Sequence, residues 1–562
     1  METTKGIQHG LGEPAVTGQF FHRRCVSGGL SLLLCLLFVQ AVSGESLRPA
    51  QRFDYERAAH LARRSGFGAT PEQIQTLADM GLVKAVNFVI SGNGGEPMPT
   101  SAVTAAEAAK RMPVSYAEKP GIVLSYLKQL SDKERADMRR RLRTISAVDL
   151  SALRGWWLRE MVTTSFPLRE KMTLFWHGHF TSGAKEVKST RLMAEQNHLF
   201  RQHALGRFDA LLAGVARDPA MLRYLDGASN RKQHPNENFA RELLELFTLG
   251  TGNYTEQDIA EAARAFTGWA VGPQGFRFRR GWHDRGTKTF LGQRGQLTGD
   301  DILRIVLHHP ATAEHLAKKL LLYFVHDDPS PKLIQAMAKK LRSTNYDMAA
   351  SLRALFLSEA FYADHVIGTQ IKSPVDLVVG TLRMLDHTNV DYHALARMLG
   401  DMGQNLFQPP NVKGWDGGKT WLTPSTFLKR EQFAAVLING TSKGARRRRQ
   451  ARLEEHAAVR ASVVADLPSR AKFHACPLPV IEIGEPLDFA GLMGDRPLRA
   501  GVMTDDLVRR VVAIPIGEDQ RSDLVDLLGD ENQRINPKSF ARKGKHKDFL
   551  RAVFMLPEFQ LQ

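Results

Sequence analysis

Residues 226–269, reading DGASNRKQHPNENFARELLELFTLGTGNYTEQDIAEAARAFTGW, gather polar and ionisable side chains more densely than any other stretch of the chain. A helix from Asn236, at about 100° per residue, places Glu237, Asn238, Arg241, Glu242 and Glu245 on one arc. Phe239, Leu243, Leu246 and Phe247 fall on the opposite arc, and Gly250 or Gly252 ends the helix. Glu242 and Glu245 sit one turn apart. Crowding of two carboxylates raises the pKa of one of them and sets an acid beside a base. Arg241 would then stabilise developing negative charge. The same residues also form an ordinary ladder, Glu237–Arg241–Glu245, of the kind that supports a surface helix and only orients it.

A metal-dependent form of this chemistry draws on donors close in sequence: His177, His179, Asp226, Asn230, His234, Glu237 and Glu242. Histidine and carboxylate ligands suit zinc or divalent iron or manganese, with Glu242 or Glu245 as general base on a bound water. The ligand set this chemistry favours is His177, His179, Asp226 and Glu237. No spacing here matches an established metal motif such as His-Glu-x-x-His. On a helix, His177 and His179 would point about 160° apart, so shared ligation needs a helix-to-loop break at Gly178. Without that break they are helix C-terminal histidines, which the helix dipole favours. His283-Asp284 offers a further acid–base or ligand pair. In NLFQPPNVKGWDGGKTW, residues 405–421, Lys413, Trp415 and Trp421 are candidate substrate contacts. The tryptophans either stack on sugar rings or anchor the loop from inside.

The elements that must position these groups read as helices. Residues 53–89 give two, the second opened by Thr70 as cap with Pro71 and Gln73 behind it. Residues 131–158 and 168–176 are periodic, Thr255 with Asp258 caps the helix after Gly252, and helical periodicity resumes over 300–357. Ser373-Pro374 opens another helix. Few segments alternate with period two. The fold class is therefore mostly α, a large single-domain helical array with long loops and a small β-hairpin near 276–290. The domain reading is an export signal over 1–44, a helical core over 45–440, a basic linker or insert over 441–475 around Arg446–Arg449, and a C-terminal helical segment over 476–562 that completes the core.

A hydrophobic share of 43% with 24% charged residues marks a globular chain. Its net charge of +17 favours acidic partners, whether nucleic acid, anionic lipid or an acidic polymer. At the N-terminus, Arg23-Arg24 precede an apolar run over 30–39 and then small residues to Gly44. That order is an export signal, by the general secretory or twin-arginine route, and it predicts a periplasmic or extracellular protein without a further membrane span. Nucleic acid then becomes an improbable partner. Cys25 and Cys35 fall within the signal, so only Cys476 remains, which excludes a disulfide within the exported chain and a cysteine-based metal site.

FWHGHF (175–180), NENFARELLELFTLGTGNYTEQDIAEAARAFTGW (236–269), HD (283–284), KSPVDLVVGTLRML (372–385) and PPNVKGWDGG (409–418) resemble the domain of unknown function family 1800 (DUF1800). HLARRSGFGATPEQI (60–74) and FMLPEFQL (554–561) resemble its two ends. The resemblance implies a bacterial, often exported protein, frequently encoded beside a sulfatase-like family, domain of unknown function 1501. It brings no established activity or catalytic residues. Two readings follow: an exported hydrolase or transferase on an envelope or extracellular polymer, with a divalent metal or with the carboxylate pair alone, and a non-catalytic scaffold that holds an acidic polymer or the sulfatase-like partner.

Overall fold

Local sequence chemistry starts the helices where expected. Thr70 accepts from the Gln73 backbone N–H while Gln73 returns to Thr70, and Thr255–Asp258 and Ser373–Asp376 form the same reciprocal box. The computed structural model describes residues 46–92, 114–117, 120–273, 275–471, 473–474 and 484–562. The expected export signal and all three cysteines lie outside them. Among the described residues the chain is mostly helical, and strands occur only as two-stranded antiparallel sheets. The expected hairpin is two: Trp269–Gly272 pairs with Gly275–Phe278, and Lys288–Phe290 with Gln293–Gly295. Residues 53–89 form three helices rather than two, because Gly81, at φ 72, turns the chain between Pro71–Met80 and Leu82–Ser91. No described helix is long and apolar enough to cross a membrane.

The stretch around the arginine run forms the Lys443–Asp466 helix, which packs along Asp132–Thr163. Arg460 reaches the buried Asp149 at 3.0 Å, and Arg141 meets Asp466 at 2.6 Å.

Two large apolar clusters divide the interior, and the Pro167–His179 helix lies where they meet. Leu168, Met172, Phe175 and Trp176 belong to one cluster, Leu174 to the other. Between them the helix buries two adjacent, oppositely charged residues. Glu170 accepts from Arg201 Nε and Nη2 at 2.7 and 2.8 Å and from Trp157 Nε1 at 3.0 Å. Lys171 donates to Asp376 on the Pro374–Met384 helix. Burial works against the Glu170 carboxylate, but Arg201, then Arg169 and Trp157, more than offset it and hold the carboxyl below the usual range.

Glu170→Ala leaves Arg201 without its partner and should lower the unfolding free energy by about 3–5 kcal/mol in urea titration. A carboxyl whose folded pKa is depressed contributes its full stability above its unfolded pKa and loses it as pH falls through the folded value. The advantage of the wild type over Glu170→Gln should therefore shrink only in acid, below the ordinary glutamate range. A gap that closes on raising the pH instead would show that Glu170 is not the ionised partner.

Candidate functional site

The Pro167–His179 helix runs straight through Gly178, so the expected break is absent. Gly178 serves a different need. At Gly414, φ is +90, and a Cβ there would lie 2.6 Å from the Gly178 carbonyl oxygen, so backbone meets backbone with no room for a side chain. The 411–414 turn is closed by Asn411, whose Oδ1 accepts from Lys413 N at 2.8 Å and whose carbonyl accepts from Gly414 N at 3.2 Å. Thr181 Oγ donates to the Val412 carbonyl. Trp415 is thereby set 5.6 Å, ring to ring, from His177.

This docking creates one wall of a cleft of about 490 Å³, lined among others by Lys171, His179, Tyr323, Asp376, Lys413 and Trp415. A second hollow, of about 560 Å³, shares Lys319, Leu322 and Lys413 with it and adds Glu245 and His315. Lys171 and Asp376 meet at the lining of the first. Asp376 Oδ2 also accepts from Ser373 Oγ at 2.7 Å and from Gln562 Nε2 at 3.1 Å. Burial opposes the Asp376 charge, but Lys171 and Ser373 outweigh it and hold the carboxyl below its usual range. The Lys171 ammonium, 4.6 Å from the centre of the Phe67 ring, is a fixed charge and not a free nucleophile.

The polar stretch joins this cleft through an irregularity in its helix. Asn238–Glu242 is α-helical, but Leu243–Thr248 widens into a π-helix. Such turns displace backbone hydrogen bonds and are frequent at functional sites. Here two histidines meet the displaced carbonyls: His179 Nε2 donates to Phe247 O at 3.1 Å and His315 Nε2 to Leu246 O at 2.9 Å. The widening also shifts the apolar arc, so that Leu244 and Thr248 are buried and Leu246 only half-buried. His179, pushed well below the usual imidazole range by burial and by Lys319, is neutral, and its buried Nδ1 keeps no protein partner. Glu242 is half-buried, and its carboxyl is raised by burial and by Glu245, against Arg241 and Lys413. Tyr254 Oη lies 3.4 Å from Glu245 Oε2.

Other expected site residues are occupied elsewhere. His177 Nε2 accepts from Phe407 N at 3.1 Å among Trp157, Phe200 and Phe407, and burial pushes its pKa down to about 3. Arg241 bridges Glu237 at 3.3 Å and Glu256 at 2.8 Å. Asp226 is an exposed left-handed residue at φ 55, and His234 closes a tight turn with Arg231. Asn230 is buried, bonding Ala263 O and Asn236 N. His283 Nδ1 bonds Thr267 O, and Asp284 pairs with Arg264, so this pair braces the hairpins and the helix before them. Trp421, 7% exposed, is the buried anchor of its loop, while the half-buried Trp415 lines the cleft. Among the described residues no three His, Cys, Asp or Glu side chains are grouped to hold a metal ion. His177, His179, Asp226 and Glu237 do not form a donor set for one ion.

Sequence reasoning missed Lys171, Asp376, Tyr323, Lys319 and His315. Lys171 and Asp376 stood inside apolar helical patterns with no local partner, and only the cap role of Asp376 after Ser373 was a signal.

A family model described as Protein of unknown function (DUF1800) matches residues 60–561. No curated protein and no solved structure matches the chain.

Gly414→Ala must accept a strained φ and a contact with Gly178 O. It should cost about 2 kcal/mol or more in thermal or urea unfolding and shift tryptophan emission as Trp415 is displaced. Gly281→Ala, which meets nothing within 4 Å, is the control. Equal stability of the two variants would overturn the docking argument.

Proposed function

Since the chain belongs to the DUF1800 family of proteins of unknown function, the site itself must carry the functional reading, and we propose an exported hydrolase or transferase that acts without a metal on an envelope or extracellular polymer. The observation that carries it is the Glu242–Glu245 pair: Glu242 interacts with Lys413, and Glu245 lines the hollow that shares Lys413 with the cleft walled by Trp415. The raised Glu242 carboxyl gives its proton to the leaving oxygen of the scissile link. Glu245 takes the proton of the attacking water in hydrolysis, or of an acceptor hydroxyl in transfer. The Lys413 ammonium faces developing negative charge, the role first assigned to Arg241, which Glu237 and Glu256 occupy. Trp415 offers a sugar ring an apolar face. Export is supported by the basic, apolar and small-residue order of the first 44 residues.

The second reading is a scaffold that holds an acidic polymer or a sulfatase-like partner without turnover. Lys319 and Lys413, shared by both hollows, favour it.

The test is product formation from isolated cell-wall polymers and acidic polysaccharides, read by mass spectrometry and new reducing ends. Glu242→Gln and Glu245→Gln should each lower turnover by about 10²-fold or more while polymer binding persists. Removing the Glu245 charge takes away one of the causes that raise Glu242. The alkaline limb of the pH–rate profile should therefore move to lower pH in Glu245→Gln. Binding retained with no turnover in the wild type leaves the scaffold reading, and co-purification of a specific partner would support it.

A further inference from the structure

A second surface, built from residues the cleft does not use, lies where the first half of the polar stretch meets the hairpin. Asn230 anchors it. Its side chain bonds Ala263 O at 2.9 Å and Asn236 N at 2.9 Å, and its carbonyl accepts from Gly268 N at 3.0 Å. The following loop is thereby pinned against the Arg280–Trp282 turn, where Lys232 N donates to Trp282 O at 2.8 Å. The Trp282 indole carries two guanidinium groups: Arg231 lies 3.9 Å and Arg279 4.2 Å from its ring centre. Around them Lys232, Arg277, Arg280 and Arg285 are exposed.

None of these six cations makes an ion pair among the described residues, while three carboxylates of the region are engaged elsewhere. Glu261 and Asp284 hold Arg264, and Asp300 holds Arg217. Six like charges kept together without counter-charge repel one another, and an arriving polyanion relieves that repulsion. Guanidinium groups stacked on an indole have lost their freedom already but keep N–H edges for oxyanions.

We propose that this face binds an acidic polysaccharide, its carboxylate or sulfate groups lying on Arg231, Arg279 and the outer cations. A membrane is the poorer fit. Trp282 is occupied by its two arginines, leaving Phe278, 43% exposed, as the apolar group able to insert, whereas membrane-surface helices present a whole apolar face. The inference does not depend on the cleft chemistry, since Glu242→Gln and Glu245→Gln leave the patch intact.

The probe is a heparin-derived hexasaccharide, titrated calorimetrically against the full chain between about 50 and 200 mM salt. The variant Lys232→Gln/Arg277→Gln/Arg280→Gln/Arg285→Gln keeps both stacks on Trp282. It should bind at least about tenfold more weakly, with a shallower salt dependence. Lys443→Gln/Arg447→Gln/Arg448→Gln/Arg452→Gln removes the same charge from a distant helix and should change affinity by less than about twofold. Unchanged melting curves in both variants keep the comparison fair, and Arg231→Gln alone, which spares the rest of the patch, should weaken binding in its own right. Equal loss in the two fourfold variants would mean net charge alone, and no loss in the patch variant would remove the site. Tighter binding of the wild type to phosphatidylglycerol vesicles or to a DNA duplex at the same salt would overturn the polysaccharide assignment.

Discussion

The structure depends on two buried charges of opposite sign at consecutive positions of one helix. Glu170 and Lys171 are both withdrawn from water, each at a cost of several kcal/mol unless paired. Their partners lie on different elements, Arg201 on the Thr190–Gln202 helix side and Asp376 on the Pro374–Met384 helix. Rotation or sliding of the Pro167–His179 helix would break at least one pair and strand an ion in an apolar interior. The helix is therefore fixed in rotation and in height between the two hydrophobic clusters. That constraint reaches the cleft directly, because Gly178 and His179 are the last residues of the same rigid rod.

From that fixed end two contacts propagate outward, one made by backbone and one by a side chain. The Gly178 carbonyl receives the Gly414 turn so closely that only glycine fits, which positions Lys413 and Trp415. His179 Nε2 donates to Phe247 O of the π-turn, which positions Glu245 and its neighbour Glu242. Three segments spread over more than two hundred residues of chain are thus referred to a single helix terminus. A cleft assembled in this way has preorganised walls, since moving either segment means disturbing a glycine contact or a buried histidine bond.

Much of the fold was legible because its signals are local. Capping boxes at Thr70, Thr255 and Ser373 and the 3.6-residue periodicity act within a few residues, and they mark helices in sequence as they do in space. The site was legible in part. Glu242, Glu245, Lys413 and Trp415 stood out by type; Lys413 lines the cleft with Trp415 and the second hollow with Glu245, and it interacts with Glu242. Glycine misled at position 178, where its lack of a side chain serves a neighbour's approach instead of a helix end. The π-turn was invisible, since nothing in LLELFT distinguishes it from α-helix; its partners His179 and His315 lie far off in sequence. Lys171 and Asp376 were missed for the same reason: a buried charge is explained only by a partner that sequence proximity does not supply.

The polar stretch over 226–269 is two structures joined at Asn236. Ahead of it, Asn230 and the 231–234 turn build the basic face against Trp282 and leave their cations unpaired. Behind it, Arg241 is drawn to Glu237 and Glu256, so the positive charge there is neutralised and the carboxylates at 242 and 245 are left facing Lys413. The split has a physical basis. Arg241 straps the Asn238–Glu242 helix to the Glu256–Ala265 helix and cannot serve either surface, while Arg231 makes no ion pair among the described residues and lies on Trp282. Cations gathered on one side and a raised carboxyl on the other are what a chain would need to hold a polyanion at one place and act on it at another.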